Sequence, residues 1–296
     1  MIPKKFDYYS PDSVHEALRI LRENAEAKIL AGGQSLLPLM KLRLAAPTAL
    51  VDISKVPDLC YVRGEDKYLA VGSLTTHDTV EHDRRIKQRF ILVHEAVVRI
   101  GDQQVRNLGT IGGSVCHADP AADLPTALLA ANAHFVVEGE AASRVVPAGD
   151  FFVDFFTTVV RHDEILTELR LPYLPPGSGS AYMKHSLRES DFAIANVGSV
   201  LTVGLDENRC RDARISLGSA GPTPIRAGSA EQYLKGRTLD DATIAEAAER
   251  SAEGADPPTD VHGSREYRLK MIKVLTRRTL KLALSRVETP GGMEQV

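Results

Sequence analysis

Two short stretches of this 296-residue chain combine glycine with hydroxyl side chains in the way an anion-binding turn requires. One is residues 107–125, NLGTIGGSVCHADPAADLP, where Gly109, Gly112 and Gly113 punctuate the run and Thr110 and Ser114 supply hydroxyls. Glycine reaches positive φ without a Cβ clash and lets a ligand approach the backbone. Successive exposed N–H groups then form a concavity for anions. Pro120 stands where a helix can start, with Asp123 in its first turn. A glycine-and-hydroxyl turn that opens into a helix suits a diphosphate.

Residues 29–44, ILAGGQSLLPLMKLRL, have the same build. Ile29, Leu30 and Ala31 read as a buried strand, and Gly32, Gly33, Gln34 and Ser35 as the turn. With Ser35 as cap, Pro38 falls in the first turn of a helix, where a missing N–H costs little. Leu36, Leu39, Met40 and Leu44 would then share its buried side. Either stretch alone is also what an ordinary tight turn looks like. Neither is followed by Gly-Lys-Ser/Thr, and neither is G-x-G-x-x-G after a strand. Two of them in one chain suggest an elongated, doubly phosphorylated ligand gripped from two sides.

Other chemistry is thin. His117, Asp119 and Asp123 match no zinc spacing. Cys60, Cys116 and Cys210 are scattered, so they form neither a disulfide framework nor an iron–sulfur set, and they fit a reducing cytoplasm. No Ser–His–Asp order or paired-carboxylate motif stands out, so no catalytic residue is assigned. A net charge of −3 argues against a general nucleic-acid footprint. Aromatic residues at 5% with no Trp give no platform for single strands. The N-terminal MIPKKFDYYSPDS lacks a secretory apolar core, and no apolar run is long enough to span a membrane.

The elements that must position the two turns read as an α+β chain. Ser10-Pro11-Asp12 is the expected start of a helix through Val14, Ala17, Leu18 and Leu21. Residues 50–53 and 67–72 read as strands, 76–87 as a polar helix and 90–100 as an apolar one stopped by Gly101. After the second turn come a helix through Leu124, Leu128 and Leu129, strands over 134–138 and 143–146, and a strand over 164–171. Residues 174–180, LPPGSGS, read as a linker. Beyond it, 182–185, 193–205 and 211–220 read as three strands, with Asp206, Glu207 and Asn208 turning between the last two. Helices are expected over 224–235 and 240–252. A long amphipathic one covers 265–287, with Met271, Val274, Leu275 and Leu282 on its inner stripe. A frayed tail, 288–296, follows.

Taken together, AGGQSLLPLMKLRL and GTIGGSVCHADPAADLP resemble the FAD-binding medium subunits of the molybdenum hydroxylases, the xanthine dehydrogenase family. The nearest likeness is to the aerobic carbon monoxide dehydrogenase type. FDYYSPDSVHEAL, QVRNLGTIGG, YMKHSLRESDFAIANV and EYRLKMIKVLTRRTL extend the resemblance over the whole length. It implies a two-part FAD-binding domain of the PCMH type over 1–176, with subdomains about 1–55 and 56–176. A smaller α+β domain over 177–296 follows, with a three-stranded antiparallel sheet and helices. It places FAD contacts on Ile29, Leu30, Ala31, Gly32, Gly33, Gln34, Ser35 and Leu36, on Thr110, Ile111, Gly112, Gly113 and Ser114, and on Asp123, Leu166 and Lys184. From the residues alone, Asp123 reads equally as a helix-dipole partner, Leu166 as core and Lys184 as a solvated surface cation. By the resemblance, Phe192 stands where carbon monoxide dehydrogenase medium subunits commonly have a tyrosine beside the flavin ring. Stacking survives that change and a phenol hydrogen bond does not.

The resemblance also implies an electron route. A large molybdopterin subunit oxidises substrate with water, and a small subunit relays electrons through two [2Fe-2S] clusters. This chain collects them on FAD for a quinone or NAD acceptor, within a cytoplasmic dimer of heterotrimers that is either free or peripheral at the inner membrane face. The cysteine-bearing loop of the 4-hydroxybenzoyl-CoA reductase medium subunit is missing, so no cluster is expected on this chain. The alternatives are a related hydroxylase acting on an N-heterocycle, purine or aldehyde, a self-contained flavin oxidoreductase, and a scaffold that has lost its cofactor.

Overall fold

The structure is a computed structural model that describes residues 2–204 and 209–287. The expected turn at Asp206–Asn208 and the tail beyond 287 lie outside the described residues. In chain order the elements begin with β1 (Asp7–Tyr9), α1 (Val14–Glu23), β2 (Ala27–Leu30), α2 (Leu36–Lys41) and β3 (Ala49–Asp52). Next come β4 (Val62–Gly64), β5 (Tyr68–Gly72), α3 (His77–His82), α4 (Arg84–Arg89), α5 (Ile91–Val97), α6 (Gln103–Leu108), α7 (Ile111–His117) and α8 (Asp123–Ala130). They are followed by β6 (His134–Glu138), β7 (Ser143–Pro147), α9 (Ala148–Phe151), β8 (Phe152–Asp154), β9 (Thr157–Thr158) and β10 (Ile165–Pro172). The last are β11 (Ser178–His185), β12 (Ala195–Gly204), β13 (Arg209–Gly218), β14 (Ile225–Arg226), α10 (Gly228–Leu234), α11 (Asp241–Arg250) and α12 (Arg265–Ser285).

The chain divides into two compact units. The first gathers Met1–Asp83, Gly101–Ala118 and Ala133–Leu171, the second Arg84–Ile100, Asp119–Asn132 and Pro172–Val296. The first unit holds a parallel sheet in the order β1-β3-β2 and a five-stranded sheet in the order β4-β5-β10-β6-β7. α1 lays Ala17, Leu18, Ile20 and Leu21 into a core with Ala49, Val51 and Ile53. Its cap is Ser13, whose hydroxyl accepts the Glu16 N–H, and not Ser10. Ser13 followed three residues later by Glu16 is a capping-box spacing, and it outcompetes the earlier serine. The polar helix expected over 76–87 is two helices, because Asp83 between them is extended.

In the second unit the expected three-stranded sheet has a fourth member. The order is β11-β12-β13-β14, all antiparallel, and β14 is only two residues long. Too short to show a period, it was absorbed into the helix expected from residue 224, which starts at Gly228 instead. β12 is buried at every position, so both faces of the sheet are covered. At Gly198 one face meets Leu92 of α5 and Ala130 of α8, and at the next residue Ser199 hydrogen bonds Thr279 of α12. Alternation along a strand sends these neighbours to opposite sides. α12 buries Arg268, Ile272, Leu275, Thr276, Thr279, Leu280 and Ala283. Of the stripe expected from the sequence only Leu275 is in that set. Val274 is exposed, and small threonines fill its place because the helix packs tightly on strands. The linker expected over 174–180 is loop only as far as Gly177, since Ser178, Gly179 and Ser180 already pair in β11.

Close packing at Gly179 makes a direct test. A Cβ there would stand 2.0 Å from the carbonyl oxygen of Ala283 in α12. Backbone on both sides cannot yield as a flexible side chain would. Gly179→Ala is expected to lower the unfolding free energy by about 3 kcal/mol, the upper end of overpacking costs, as read by urea denaturation.

Candidate functional site

The first glycine bend leaves β2 and enters α2. Ser35 sits before the helix, yet its backbone is already helical and its hydroxyl makes no capping bond. The expected cap is therefore absent. Pro38 lies within the first turn of α2, as expected. Only Met40 is buried, and Leu44 is 74% exposed, because the chain turns at Arg43 (φ 60°) and carries Leu44 outward. Gly33 also takes positive φ, 72°. The N–H groups of Gly32, Gly33, Gln34 and Ser35 find no acceptor among the described residues. Four consecutive N–H groups left open on a half-buried bend call for water or an anion, since unpaired backbone donors are rare in folded proteins.

The second bend is built differently from its sequence reading. It is a junction of two short helices, α6 and α7, with Gly112 and Gly113 inside the first turn of α7. Thr110 caps α7, its hydroxyl accepting from Gly113 N at 3.1 Å. Ile111 N donates to Thr75 O and Gly112 N to Ser73 O, both at 2.9 Å, and Ser114 N to Thr110 O. The amides expected to meet a ligand here are thus already hydrogen-bonded within the chain. What the glycines supply is closeness. A Cβ on Gly112 would lie 2.6 Å from Ser73 Cβ.

The two bends touch. A Cβ on Gly32 would fall 2.0 Å from Leu108 O and 2.7 Å from Gly109 Cα. A Cβ on Gly113 would meet Ala31 Cβ at 3.9 Å. The first bend carries the open donors of residues 32–35, and the second carries Thr110, Gly113 and Ser114. Leu166, 4% exposed on β10, is adjacent in sequence to Thr167, whose carbonyl accepts Ser73 N. Sequence reading missed the segment from Ser73 to His77, to which the second bend is stitched. Thr76 before a polar helix was the available signal.

Asp123, Lys184 and Phe192 belong to the second unit. Lys184 is buried, with 2% of its side chain exposed, and is not the solvated cation its sequence context suggests. Its Nζ donates to Asp123 Oδ2 at 2.9 Å and to Arg99 O at 2.7 Å. Tyr182 Oη donates to Asp123 Oδ1 at 2.5 Å. Tyr182 was not singled out, although it lies two residues from Lys184 on one face of β11, where period two would have found it. Burial pushes the Asp123 carboxyl above the usual carboxylate range, against the pull of Lys184 and Tyr182. Burial beside Asp123 raises the Tyr182 phenol far above its ordinary value, so it remains a donor. Phe192, 64% exposed, sits in the loop between β11 and β12. His117 packs on the Phe156 ring and Asp119 Oδ1 accepts from Ala121 N.

Lys184→Met strands a buried carboxylate and is expected to cost about 3–5 kcal/mol. Adding Asp123→Asn to it should recover part of that loss. Urea denaturation of both single variants, the double variant and the parent measures the coupling.

The open N–H groups of residues 32–35 suit an anionic group such as a diphosphate. Comparisons with known proteins identify the family. The FAD binding domain in molybdopterin dehydrogenase matches residues 4–174, and the CO dehydrogenase flavoprotein C-terminal domain matches 180–283. The 6-hydroxypseudooxynicotine dehydrogenase complex subunit alpha of Paenarthrobacter nicotinovorans is 41% identical, covering 97% of each chain. The glyceraldehyde dehydrogenase medium chain of Sulfolobus acidocaldarius is 37% identical over 95% of this chain and 99% of its own. A solved structure of carbon monoxide dehydrogenase from Hydrogenophaga pseudoflava, lacking the Mo-pyranopterin moiety, superposes with a TM-score of 0.94 at 36% identity, over 97% of this chain and 100% of that one. The chain therefore belongs to the molybdenum hydroxylase family, as a medium, FAD-binding oxidoreductase subunit.

Proposed function

We propose that the open amides of Gly32, Gly33, Gln34 and Ser35 hold the FAD diphosphate, with Ile29, Leu30, Ala31 and Leu36 framing them. The observation that carries this reading is the direct seating of Gly32 on the Leu108 carbonyl, which brings both bends to one place. Thr110, Ile111, Gly112, Gly113 and Ser114 act as the opposing wall, fixed by bonds within the chain. Leu166 contributes a packed apolar contact. Asp123 and Lys184 contribute as a charge-balanced pair. Lys184 has three N–H donors and two of them are occupied, so one remains to meet a ligand. Phe192 offers a ring face with no hydroxyl. Bound FAD supplies a carrier that accepts electrons one at a time and releases two.

On this reading the chain's own residues bind and shield the cofactor. We assign it a relay between a small [2Fe-2S] subunit, fed by a large molybdopterin subunit, and a quinone or NAD acceptor, in a dimer of heterotrimers located in the cytoplasm. Carbon monoxide is one substrate reading. Phe192 in the tyrosine position and the 41% identity to a 6-hydroxypseudooxynicotine dehydrogenase subunit favour a second, an N-heterocyclic nicotine derivative. Turnover of each by the intact complex separates the two.

The complex purified with its co-purifying chains is expected to carry flavin that is released as FAD on denaturation. Gly32→Ala should weaken FAD binding about tenfold or more, equivalent to about 1.4 kcal/mol, because a methyl cannot share space with Leu108 O. Protein that stays colourless after FAD is added, or a Gly32→Ala complex that binds FAD as the parent does, overturns the assignment.

A further inference from the structure

The second bend is anchored from behind by a side chain that the FAD reading does not use. His77 is the first residue of α3 and only 3% exposed. Its backbone N–H donates to Gly109 O at 2.9 Å. Its ring lies where a Gly109 side chain would be, with Cδ2 2.9 Å and Nε2 3.2 Å from the would-be Cβ. Its Nδ1 is buried with no hydrogen-bond partner among the described residues. Thr76, the preceding residue, forms an antiparallel bridge with Thr110. Gly109 in turn is one of the two residues on which Gly32 rests.

We propose that His77 is a positioning residue for FAD: it holds Gly109 in place against Gly32, so that the two bends stay closed on the cofactor only while its imidazole is neutral. This rests on the FAD reading above. A charged ring in that position would leave a buried cation with no carboxylate in contact. The charged groups on the elements around it are Arg106 of α6, and Asp78, Glu81 and His82 on α3 itself, with Asp83 ending α3 and Asp102 capping α6. Glu81 is taken by Arg106 at 2.7 Å, and Asp78 Oδ1 accepts from Gln103 at 2.6 Å. The segments 73–76 and 109–110 bring no charge.

The sign follows from the depressed titration of this group. Burial, with Arg106 adding to it, pushes the His77 imidazole down to about 4 from 6.5. The closed arrangement is fully favoured above the ordinary imidazole value. It is lost progressively as pH falls toward about 4, because only the opened bend takes up the proton. That difference of about 2.5 units is worth up to roughly 300-fold in the opening equilibrium.

The test is FAD release from the intact complex, followed by the fluorescence of freed flavin between neutral pH and pH about 4.5, a range set by the titration above. The parent is expected to shed FAD increasingly below the ordinary imidazole value. His77→Phe, which fills the space and cannot ionise, should retain FAD with a flatter pH profile. His77→Ala should release FAD faster than the parent at neutral pH, since nothing then backs Gly109. Coincident profiles for the parent and His77→Phe, or full retention by His77→Ala, overturn the inference. If the parent carries no FAD, the FAD reading fails. The anchoring role is then read from the pH dependence of Tm, where an acid drop that His77→Phe removes upholds it and an unchanged profile refutes it.

Discussion

The constraint on which the first unit depends is a backbone-to-backbone contact at Gly32. Any side chain there would occupy the space of the Leu108 carbonyl. That contact joins a loop leaving a parallel sheet to a loop between helices that are more than seventy residues further along the chain. Neither loop is rigid by itself, because α2, α6 and α7 are each about two turns or less. Helices that short are marginal in isolation and owe their persistence to tertiary contacts. Their support comes from Ser73, Thr75 and His77, whose backbone groups bond the residues around Thr110. Ser73 is tied in turn to Thr167 of β10, so the bend is carried by the five-stranded sheet.

The second unit is held on a different principle. Its strands β11 to β13 are long, β12 is covered on both faces, and small apolar residues fill the core they share with α12. Within that packing sits the group of Lys184, Asp123 and Tyr182. A buried ion pair adds little net stability over a well-packed apolar substitute, because desolvation opposes the attraction. The pair here has both carboxylate oxygens and two lysine donors satisfied, which is the condition under which such a group is tolerated. Glu95 of α5 reinforces the same strand by accepting from Tyr182 N and from Arg286 of the segment after α12.

Much of this was legible in the amino-acid order. The long strands, α8, α11 and α12 follow from hydrophobic periodicity, and the glycine bends announced themselves by composition. Two things were not legible, and each has a physical reason. Local patterns do not report which partner a backbone amide takes, so the occupied donors of Ile111 to Ser114 could not be told from the open ones of residues 32–35. Nor does a single lysine among polar neighbours reveal burial, since Lys184 is buried by residues such as Tyr182 and Asp123 that come together only in the folded sheet. The same limit explains why β14 and the break at Asp83 were missed, each being decided by tertiary contact over two or three residues.

The two bends look alike in sequence and differ in what they offer. In the first, the donors are open and the backbone is pinned at Gly32. In the second, the donors are consumed in holding the chain, and the glycines serve to bring backbones within touching distance. On the proposed reading, a diphosphate would meet charge-stabilising amides on one side and a shaped, neutral wall on the other. Positive groups are not needed at the bends themselves, since oriented amides in a half-buried site supply the field. An arrangement of this kind needs no cationic surface at the bends. It also leaves the flavin, and not the side chains, as the place where electrons rest. On the proposed reading, that division of labour gives this chain the binding of the cofactor and leaves the substrate to a partner subunit.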